Sequence, residues 1–342
     1  MNRPQLPTVS VVVLAYGEEP WTEACVEALL ASDGVTVDVV VVDNGDLTGA
    51  VRRLEGRAGV QVLRPATNLG FAGGCNAGAA VVKGEVLALV NADAIVKPGC
   101  LAALAAVALR SGVGLATASI RLADRPDRLN TMGNPVHFLG IVWAGGFDEP
   151  AADHDLEQEV PTASGACAAI RRALWDDFGG FDAEYFAYHE DTELSLRCYL
   201  QGLSVVYVPT AVVVHRYEFS RNVRKNYLLE RNRFLTLLTV YSRRMLFLVS
   251  PALVLFELAT LLAATAQGWG GAKLRGYWWL LQHGRHIRAR RDLVQSKRLI
   301  TDKELARLLV GRIEPKNTPL PPGSGVLNAA LGTYWSLVRR VL

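Results

Sequence analysis

The sequence contains few cysteines and none of the close pairs that hold metals or form redox centres. Its five cysteines are scattered along 342 residues without a CxxC pair: Cys25, Cys75, Cys100, Cys167 and Cys198. The opening residues, MNRPQLPT, lack the apolar segment and the small-residue cleavage site of a secretory signal. An odd, scattered set of cysteines without such a signal is typical of reduced thiols, so we expect the catalytic part in the cytosol.

Several well-known catalytic and nucleotide-binding motifs are also missing. The sequence contains no Walker A, HExxH or GxSxG motif. The glycine-rich stretch NLGFAGGCNAG does not match GxGxxG and follows the third predicted strand, so a dinucleotide fingerprint is not expected. We predict instead a tight turn that places Asn68 and Asn76 near a ligand. The chain contains no recognisable nucleic-acid-binding module, and we expect no nucleic-acid partner.

Charged residues are scarce and unevenly distributed. They make up 20% of the chain against 50% hydrophobic residues, which excludes a disordered protein, and the length suggests one large α/β domain with an appendage. Residues 1–215 carry 14 Lys/Arg and 26 Asp/Glu, a net −12, whereas residues 216–342 carry 22 and 7, a net +15. A basic end predicts an anionic partner, either nucleic acid or a membrane. The hydrophobic stretch inside that end favours a membrane.

Apolar, β-branched runs alternate with helical patterns in the first hundred residues. Strands are predicted at 9–16, 37–45, 60–63 and 85–90, with a helix at 21–30 and another after the glycine-rich turn. Such alternation predicts βαβ units and a parallel sheet, in which ligands bind outside the carboxyl ends of the strands. Polar groups mark three of these ends, at Ala15–Tyr16, Asp43–Asn44 and Asn91–Asp93, and predict a binding crevice.

The next hundred residues begin with an irregular segment. Residues 121–160 have no steady period, and we predict a mobile loop region over the crevice. Regular structure is predicted to return as a strand at 163–170, a helix at 172–177, a helix at 191–201 and two last strands, LSVVYVP and AVVVHR.

The basic end predicts contact with a membrane. Residues 221–244 form an amphipathic, cationic pattern, and residues 245–266 are long and apolar enough to span a bilayer. Both flanks are basic, however, and the stretch contains Pro251 and Glu257, so we predict a helix pair or re-entrant hairpin lying in the cytoplasmic interface. GYWWLL adds aromatic residues typical of head-group depth. A capping box, TDKE, predicts one more short helix at 301–304, before a Pro-Gly-rich linker at 319–325.

Three places carry side chains suited to catalysis. Asp93 is either a hydrogen-bonded turn residue, which the Asn91–Asp93 stretch taken alone favours, or a ligand of Mg²⁺ or Mn²⁺ together with nucleotide phosphates. Glu190 and Asp191 are either capping residues of a helix or acids in a pocket lined by the preceding aromatic residues, which would raise a carboxylate's proton affinity and pack against a sugar ring. His215 is either a satisfied strand-end histidine or a nitrogen ligand of the same metal.

Six motifs in order resemble those of a known family. The chain resembles the inverting family 2 glycosyltransferases over about residues 8–240, and the motifs that carry the resemblance are VSVVVLAYGE, VVVVDNGD, NLGFAGGCNAG, LVNADA, GGFDAEYFAYHEDTELSLRCYLQG and VVVHR. The chain is similar in particular to bacterial rhamnosyltransferase-like members that build cell-envelope glycans on lipid carriers. The resemblance implies a GT-A fold, a mixed, mainly parallel sheet flanked by helices. It also implies transfer of a single sugar from a dTDP-, UDP- or GDP-sugar to a lipid-linked or cell-wall glycan hydroxyl. The missing QxxRW motif argues against a processive synthase.

The resemblance also implies roles for individual residues on the donor side. Asp43 would read the nucleobase, and Ala15, Tyr16 and Glu18 would line the nucleotide site. Asn91, Ala92 and Asp93 occupy the family's DxD position, with Asp93 as the metal-binding acid. His215 matches a position that contacts metal or diphosphate in some members. Asn91 stands where the first Asp is usual, either as a neutral ligand of the ribose or donor or as a sign of weaker metal reliance.

On the acceptor side, the resemblance makes Asp191 the catalytic base and Glu190 a residue that positions acceptor or base. Glu193 stands where Asp is usual.

The implied organisation is a catalytic domain at 1–220, a membrane-associating region at 221–300 and a C-terminal helical tail at 301–342. The protein would lie at the cytoplasmic face of the plasma membrane, peripheral or monotopic through residues 243–292, in contact with its anionic surface.

Two other functions compete with sugar transfer as explanations of the sequence. A nucleotidyltransferase of related topology would need a glycine-rich, basic loop after the first strand, where AYGEEP is acidic. A non-catalytic sugar-nucleotide-binding scaffold docked on the membrane would not need both Asp93 and Asp191. The sequence therefore favours an enzyme.

Overall fold

A large mixed sheet with helices on both faces forms the body of the protein. The computed structural model describes residues 6–216, 224–317 and 324–342. The strands are β1 (Thr8–Gly17), β2 (Thr36–Asp46), β3 (Val60–Leu63), β4 (Val86–Asn91), β5 (Ala94–Val96), β6 (Val113–Leu122), β7 (Leu129–Thr131), β8 (Val136–His137), β9 (Gln158–Glu159), β10 (Cys167–Arg171), β11 (Ser204–His215) and β12 (Leu309–Val310).

The helices are interspersed with the strands up to β11, and most of the chain after β11 is helical. They are α1 (Thr22–Leu30), α2 (Ala50–Leu54), α3 (Gly70–Val81), α4 (Cys100–Ala108), α5 (Arg172–Phe178), α6 (Glu190–Leu200), α7 (Lys225–Val240), α8 (Arg243–Ala266), α9 (Gly270–Gln282), α10 (Gly284–Ser296), α11 (Asp302–Leu305) and α12 (Ser324–Val341). Short 3₁₀ turns lie at Ala151–His154 and Ala183–Tyr185.

The strand order brings several carboxyl ends to one edge of the sheet. The main sheet runs β3-β2-β1-β4-β10-β6-β11-β5, with β7 beside β6 and β9 beside β11. Strands β1 to β4 pair in parallel, while β10 is antiparallel to both β4 and β6. Because β11 is parallel to β6, strands β1, β2, β4, β6 and β11 all end at the same edge. This is the edge where the sequence predicted a crevice.

The glycines of NLGFAGGCNAG allow helix α3 to lie close to the sheet. A β-carbon at Gly74 would lie 2.6 Å from Leu14, and one at Gly78 would lie 2.6 Å from Val12. Strands β1, β2 and β4 are buried on both faces, which explains why they read as continuous apolar runs. The glycine-rich stretch is therefore explained by packing at these two positions.

Most predicted elements form near their expected positions, with two corrections in the second half of the body. The predicted strand at 163–170 begins only at Cys167, because the amides of Ala163 and Ser164 bind the side chains of Ser195 and Thr117 instead of a neighbouring strand. The two predicted last strands form one strand, β11, whose register shifts between Val208 and Val212 around a proline.

Residues 97–122, for which no element was predicted, form α4 and β6. The irregular segment at 121–160 contains three short strands and a 3₁₀ turn. The predicted capping box is confirmed: the Thr301 side chain accepts from the Glu304 amide, and Glu304 accepts from the Thr301 amide. Part of the predicted basic helix (221–223) and most of the predicted linker (319–323) lie outside the described residues.

Helix α8 is the apolar stretch that the sequence marked for a membrane. It is one continuous helix of 24 residues that includes Pro251, and it is long and apolar enough to cross a bilayer. A short turn joins it to α9, which packs against it, so the predicted helix pair forms. Glu257 points from α8 into the protein, where Arg233 binds it at 2.5 Å and Lys273 at 2.8 Å.

A buried ion cluster joins α7, α8 and α9. Lys273 is fully buried, and its Nζ lies 2.7 Å from Glu230 and 2.8 Å from Glu257. Burial alone would raise the pKa of Glu230, but Arg233 and Lys273 outweigh burial and lower the pKa to about 2. Since this pKa is depressed, the stabilisation is present above the ordinary glutamate pKa and is lost as the pH falls towards 2.

Lys273→Met should strongly destabilise the protein, because it leaves the largely buried carboxylates of Glu230 and Glu257 to share the single cation Arg233. We expect the free energy of unfolding to fall by about 3–5 kcal/mol at neutral pH, as when one partner of a buried pair is removed. Urea unfolding followed by circular dichroism measures this. The control, Lys303→Met, changes an exposed lysine and should stay within about 0.5 kcal/mol of the parent. Equal stability of the two variants would contradict the role of the cluster.

Candidate active site

The ends of three parallel strands meet in register, as predicted. Ala15 on β1 lies opposite Asp43 on β2, and Leu14 lies opposite Asn91 on β4. Ala15 is fully buried, whereas Tyr16 is 63% exposed with its ring beside Gly45. The Tyr16 side chain is therefore accessible to solvent at the end of β1, whereas Ala15 just before it is buried. Glu18 is exposed at the same strand end.

Asp43 is held in place by its own turn and by Arg64. Its Oδ1 accepts from the amides of Gly45 (3.2 Å) and Asp46 (3.0 Å). Its Oδ2 lies 3.3 Å from Nε of Arg64. These contacts fix the orientation of the side chain at the crevice, where it presents acceptor oxygens.

The loop before α3 is fastened to β2 by a buried asparagine. Asn44 Nδ2 donates to the carbonyl of Gly70, and its Oδ1 accepts from the amide of Leu69, both at 2.9 Å. Asn68 is exposed and its Oδ1 accepts from the Gly70 amide at 2.8 Å, so it shapes the turn. Gly70 has φ +70°, and a β-carbon there would lie 2.3 Å from the carbonyl oxygen of Phe186.

Asn76 lies farther along α3, and its amide is already occupied. Its Nδ2 donates to the carbonyl of Phe181, and its Oδ1 accepts from the Phe181 amide, both at 2.9 Å. The structure thus gives Asn76 a bracing contact, and its predicted part in nucleotide-sugar binding stays a prediction. Asn91 is the last residue of β4, and buried Ala92 lies between it and Asp93 along the chain.

Asp93 and His215 come together beyond the ends of β4 and β11. His215 Nε2 lies 3.2 Å from Oδ1 of Asp93, and Nδ1 donates to Oδ1 of Asn130 at 3.0 Å. The amide of Arg216 donates to the Asp93 carbonyl at 3.1 Å, and its guanidinium stacks 3.7 Å above the ring of Trp21. A carboxylate and an imidazole therefore meet at these strand ends, and the backbone of Arg216 is bound to the same turn.

The Asp93 carboxylate and the His215 imidazole fit a divalent cation that takes its remaining ligands from phosphate and water. Among the described residues, no group of three or more His, Cys, Asp or Glu side chains is placed to hold a metal. Mg²⁺ and Mn²⁺ do not need such a cage, because they bind through one or two protein ligands with phosphate oxygens and water completing the shell. Asp93 Oδ1 and His215 Nε2 are close enough together to be those ligands.

Asp191 reaches the same crevice from the first turn of α6. Its Oδ2 accepts from the Gly165 amide at 2.9 Å, and its Oδ1 accepts from the Thr192 amide at 2.6 Å. The next residue along from Gly165, Ala166, accepts from the Asn91 amide at 3.0 Å. One loop thus connects Asp191 directly to the end of β4. Burial raises the pKa of Asp191, and the two backbone amides partly offset this rise.

Glu190 lies deeper than its neighbour. It is 5% exposed, and its Oε2 has no hydrogen-bond partner among the described residues. Burial and the adjacent Asp191 charge raise its pKa well above the ordinary value. Of the two predicted roles, this location supports positioning of the base better than contact with an acceptor. In the preceding aromatic segment, Tyr185 is fully buried with its hydroxyl bound to Thr236, so it faces the core and not the crevice.

Sequence reasoning missed several residues that shape the site. Asn130 and Asn232 fasten loops around it, and Arg216 supplies a cation that stacks on Trp21. Arg216 had a local signal, since it directly follows the predicted ligand His215. The two asparagines carry no local signal, because their partners are 44 to 85 residues away.

A mixed sheet with acids at adjoining carboxyl ends is the architecture of a nucleotide-sugar transferase of the GT-A type. Comparison with known protein families agrees with this architecture. The family model described as "Glycosyltransferase like family 2" matches residues 4–234. The chain therefore belongs to glycosyltransferase family 2.

Two relatives illustrate the relationship. The chain is 28% identical over 232 residues to the uncharacterized protein y4gI of Sinorhizobium fredii, covering 63% of this chain and 25% of that protein. It is 28% identical over 231 residues to N-acetylglucosaminyl-diphospho-decaprenol L-rhamnosyltransferase of Mycobacterium tuberculosis, covering 60% of this chain and 75% of the relative. The chain thus spans a quarter of the length of the first relative and three quarters of the second.

Two solved structures share the fold. One is GalNAc-T7 with UDP, GalNAc and Mn²⁺, at TM-score 0.57 and 16% identity over 69% of this chain and 48% of that one. The other is the mannosyltransferase PcManGT from Pyrobaculum calidifontis with GDP-Man and Mn²⁺, at TM-score 0.52 and 19% identity over 86% of both chains. The predicted GT-A fold is confirmed.

Proposed function

We propose that the protein is an inverting glycosyltransferase that moves one sugar from a nucleoside-diphosphate sugar to a hydroxyl group. The Asp191 carboxylate takes the proton of the acceptor hydroxyl, and the oxygen attacks the anomeric carbon from the face opposite the diphosphate. The bond from that carbon to the diphosphate oxygen breaks, and the nucleoside diphosphate leaves with both bonding electrons. One base and no covalent intermediate suffice for inversion.

The observation that carries this proposal is the connection between Asp191 and the end of β4. The Gly165–Ala166 backbone binds Asp191 on one side and Asn91 on the other, at 2.9 and 3.0 Å. This arrangement supports a base on the acceptor side within reach of a donor held by β1, β2 and β4. Asp43, Ala15, Tyr16 and Glu18 would hold the nucleotide, and Asn68 and Asn91 the ribose or sugar.

Asp93 and His215 would hold Mg²⁺ or Mn²⁺ against the donor diphosphate. The cation, when bound, supplies positive charge that stabilises the departing diphosphate. Arg216, whose backbone amide binds the Asp93 carbonyl and whose guanidinium lies over Trp21, would add a second positive charge. Mn²⁺ in the two structural neighbours supports a divalent cation here.

The acceptor we propose is a lipid-linked or cell-wall glycan. Its support is the name of the mycobacterial relative, which describes a rhamnosyltransferase acting on a sugar carried by a decaprenyl diphosphate.

The sugar donor can be identified by experiment. Purified protein is screened against UDP-, dTDP- and GDP-sugars by thermal shift with Mn²⁺ or Mg²⁺, and the sugars that bind are then assayed for transfer. A metal-dependent shift with at least one donor, followed by transfer, is expected. Binding without transfer to any lipid-linked or glycan acceptor would favour a scaffold.

We also propose that α8 and α9 lie on an anionic membrane surface at its cytoplasmic face. The inner face of α8 packs against the rest of the protein through its buried residues, and Glu257 on α8 forms an ion pair with Arg233. The outer faces expose large apolar side chains, namely Phe247, Val254, Leu255, Leu258, Leu262, Leu274, Trp278 and Leu281. Exposed arginines at 243, 244, 275, 285 and 288 flank them. Such a surface suits an interface, since an apolar face is buried while cations meet anionic lipids.

Replacing Phe247, Leu255 and Leu262 together by Gln should release the protein from membranes. We expect at least about a tenfold loss of binding to anionic vesicles in sedimentation, because three exposed apolar side chains no longer enter the lipid. The matched control replaces the exposed leucines 6, 47 and 156 by Gln on the catalytic body. Equal binding of both triple variants would contradict this docking face. Deletion of 243–292 is a poorer test, because it removes Lys273 from buried Glu230.

A further inference from the structure

The backbone just before the catalytic helix is held in an unusual conformation. Phe186, Tyr188 and His189 all have positive φ, at 60°, 70° and 70°, although none is glycine. Such a conformation persists only where surrounding contacts enforce it, and it is often found at functional sites. His189 is the residue from which α6 starts, so this segment sets where Glu190 and Asp191 begin.

One side chain holds most of this segment. Asn232 on α7 is fully buried, and its Nδ2 lies 2.8 Å from the carbonyl of Tyr185, 2.8 Å from that of Ala187 and 2.7 Å from that of Tyr188. Two N–H groups therefore serve three carbonyl oxygens. An amide nitrogen in the middle of three carbonyls fixes the path of four residues at once.

The neighbouring arginine fixes the orientation of this amide. Arg231 Nε donates to Oδ1 of Asn232 at 2.8 Å, so Nδ2 must point to the carbonyls. The Arg231 guanidinium also donates to the carbonyls of Glu184 (2.6 Å) and Tyr185 (2.9 Å), and it stacks 4.5 Å from the ring of Trp279. Arg231 and Asn232 thus brace the strained segment from one turn of one helix.

We propose that Asn232 is a positioning residue for Asp191. By holding the strained turn, it fixes the first turn of α6 so that the Asp191 carboxylate stays against the Gly165 amide, facing the crevice. Asn232 itself is fully buried, where it binds Arg231 and the three backbone carbonyls. The inference rests on the proposed role of Asp191 as the base, and it assigns a function to α7 that lies inside the region predicted to serve only membrane contact.

The test is Asn232→Ala, which removes both donors from the three carbonyls. We expect kcat to fall between about tenfold and a hundredfold, as for a misplaced catalytic group, with the donor KM within about threefold. The nucleotide-dependent thermal shift should persist. Asn232→Asp, of the same shape, should lose more, since it sets a carboxylate against three carbonyls. Asn226→Ala changes an exposed asparagine of the same helix and should match the parent.

A role in folding alone gives different results. If kcat stays within about twofold, if nucleotide binding is lost together with kcat, or if both Asn232 variants are insoluble, the positioning role is overturned. In an Asp191→Asn background, Asn232→Ala should change the residual single-turnover rate by less than about threefold, because no base remains to be placed. A full multiplicative loss there overturns the inference. Normal turnover of Asp191→Asn alone would instead refute the proposed function.

Discussion

Asp191→Asn should lower kcat for sugar transfer by about 10³- to 10⁴-fold, since an amide of the same shape cannot take the acceptor's proton. Release of nucleoside diphosphate in the presence of acceptor measures this. Donor binding, followed by thermal shift, should change by less than about twofold because Asp191 lies on the acceptor side. The control is Asp33→Asn, which makes the same chemical change at an exposed aspartate. Unchanged turnover in Asp191→Asn would remove the catalytic assignment.

The pH dependence of transfer provides a second signature of this base. Burial raises the pKa of Asp191, and the base is active only when deprotonated. The rate should therefore fall as the pH drops through this raised pKa, at a higher pH than for an ordinary aspartate. The pKa of Glu190 is raised further. Because Glu190 is adjacent to Asp191, the two carboxyl groups titrate as a coupled pair. This acid limb should be absent from the residual rate of Asp191→Asn.

Asp93→Asn should produce the second large loss, about 10³-fold in the metal-supported rate, because it removes the carboxylate proposed to bind the cation. Its binding of Mn²⁺, measured by electron paramagnetic resonance in the presence of nucleoside diphosphate, should weaken in parallel. The change preserves shape, so the contact with His215 is altered in charge and not in size. The Asp191→Asn variant should bind Mn²⁺ normally.

Asn91→Asp makes the reverse change two residues away. If Asn91 is a neutral ligand of the ribose or donor, the added carboxylate should disturb donor binding while Mn²⁺ binding persists. If it reflects weaker metal reliance, the carboxylate should tighten Mn²⁺ binding. Retention of both Mn²⁺ binding and full activity in Asp93→Asn would contradict the assignment of Asp93.

The sequence predicted the donor half of the fold because its strands are defined locally. Strands β1, β2 and β4 are buried on both faces, so continuous apolar runs suffice to find them. Residues 97–122 gave no such signal: LAALAAVAL is apolar all round, and periodicity alone does not separate a buried helix from a strand. Strand β11 read as two strands because its proline sits at a register shift that only the pairing with β6 reveals.

The candidate site was predictable where its residues follow strand ends or begin a helix. Asp43, Asp93, Asp191 and His215 were found this way, and the structure brings the last three to one region of the crevice. Asn130 and Asn232 were not found, because their roles depend on partners 85 and 44–47 residues away. Asn76 shows the opposite case: its position after a glycine-rich turn predicted a ligand, while its amide binds Phe181, 105 residues along the chain.

Direct displacement assisted by one base, Asp191, inverts the configuration at the anomeric carbon, because the acceptor oxygen attacks opposite the leaving diphosphate. Proton NMR during transfer from a donor of known α or β configuration reads the configuration of the first-formed product. We expect a product of the opposite configuration from the start of the reaction. A first product that retains the donor's configuration would exclude direct displacement and, with it, the role assigned to Asp191.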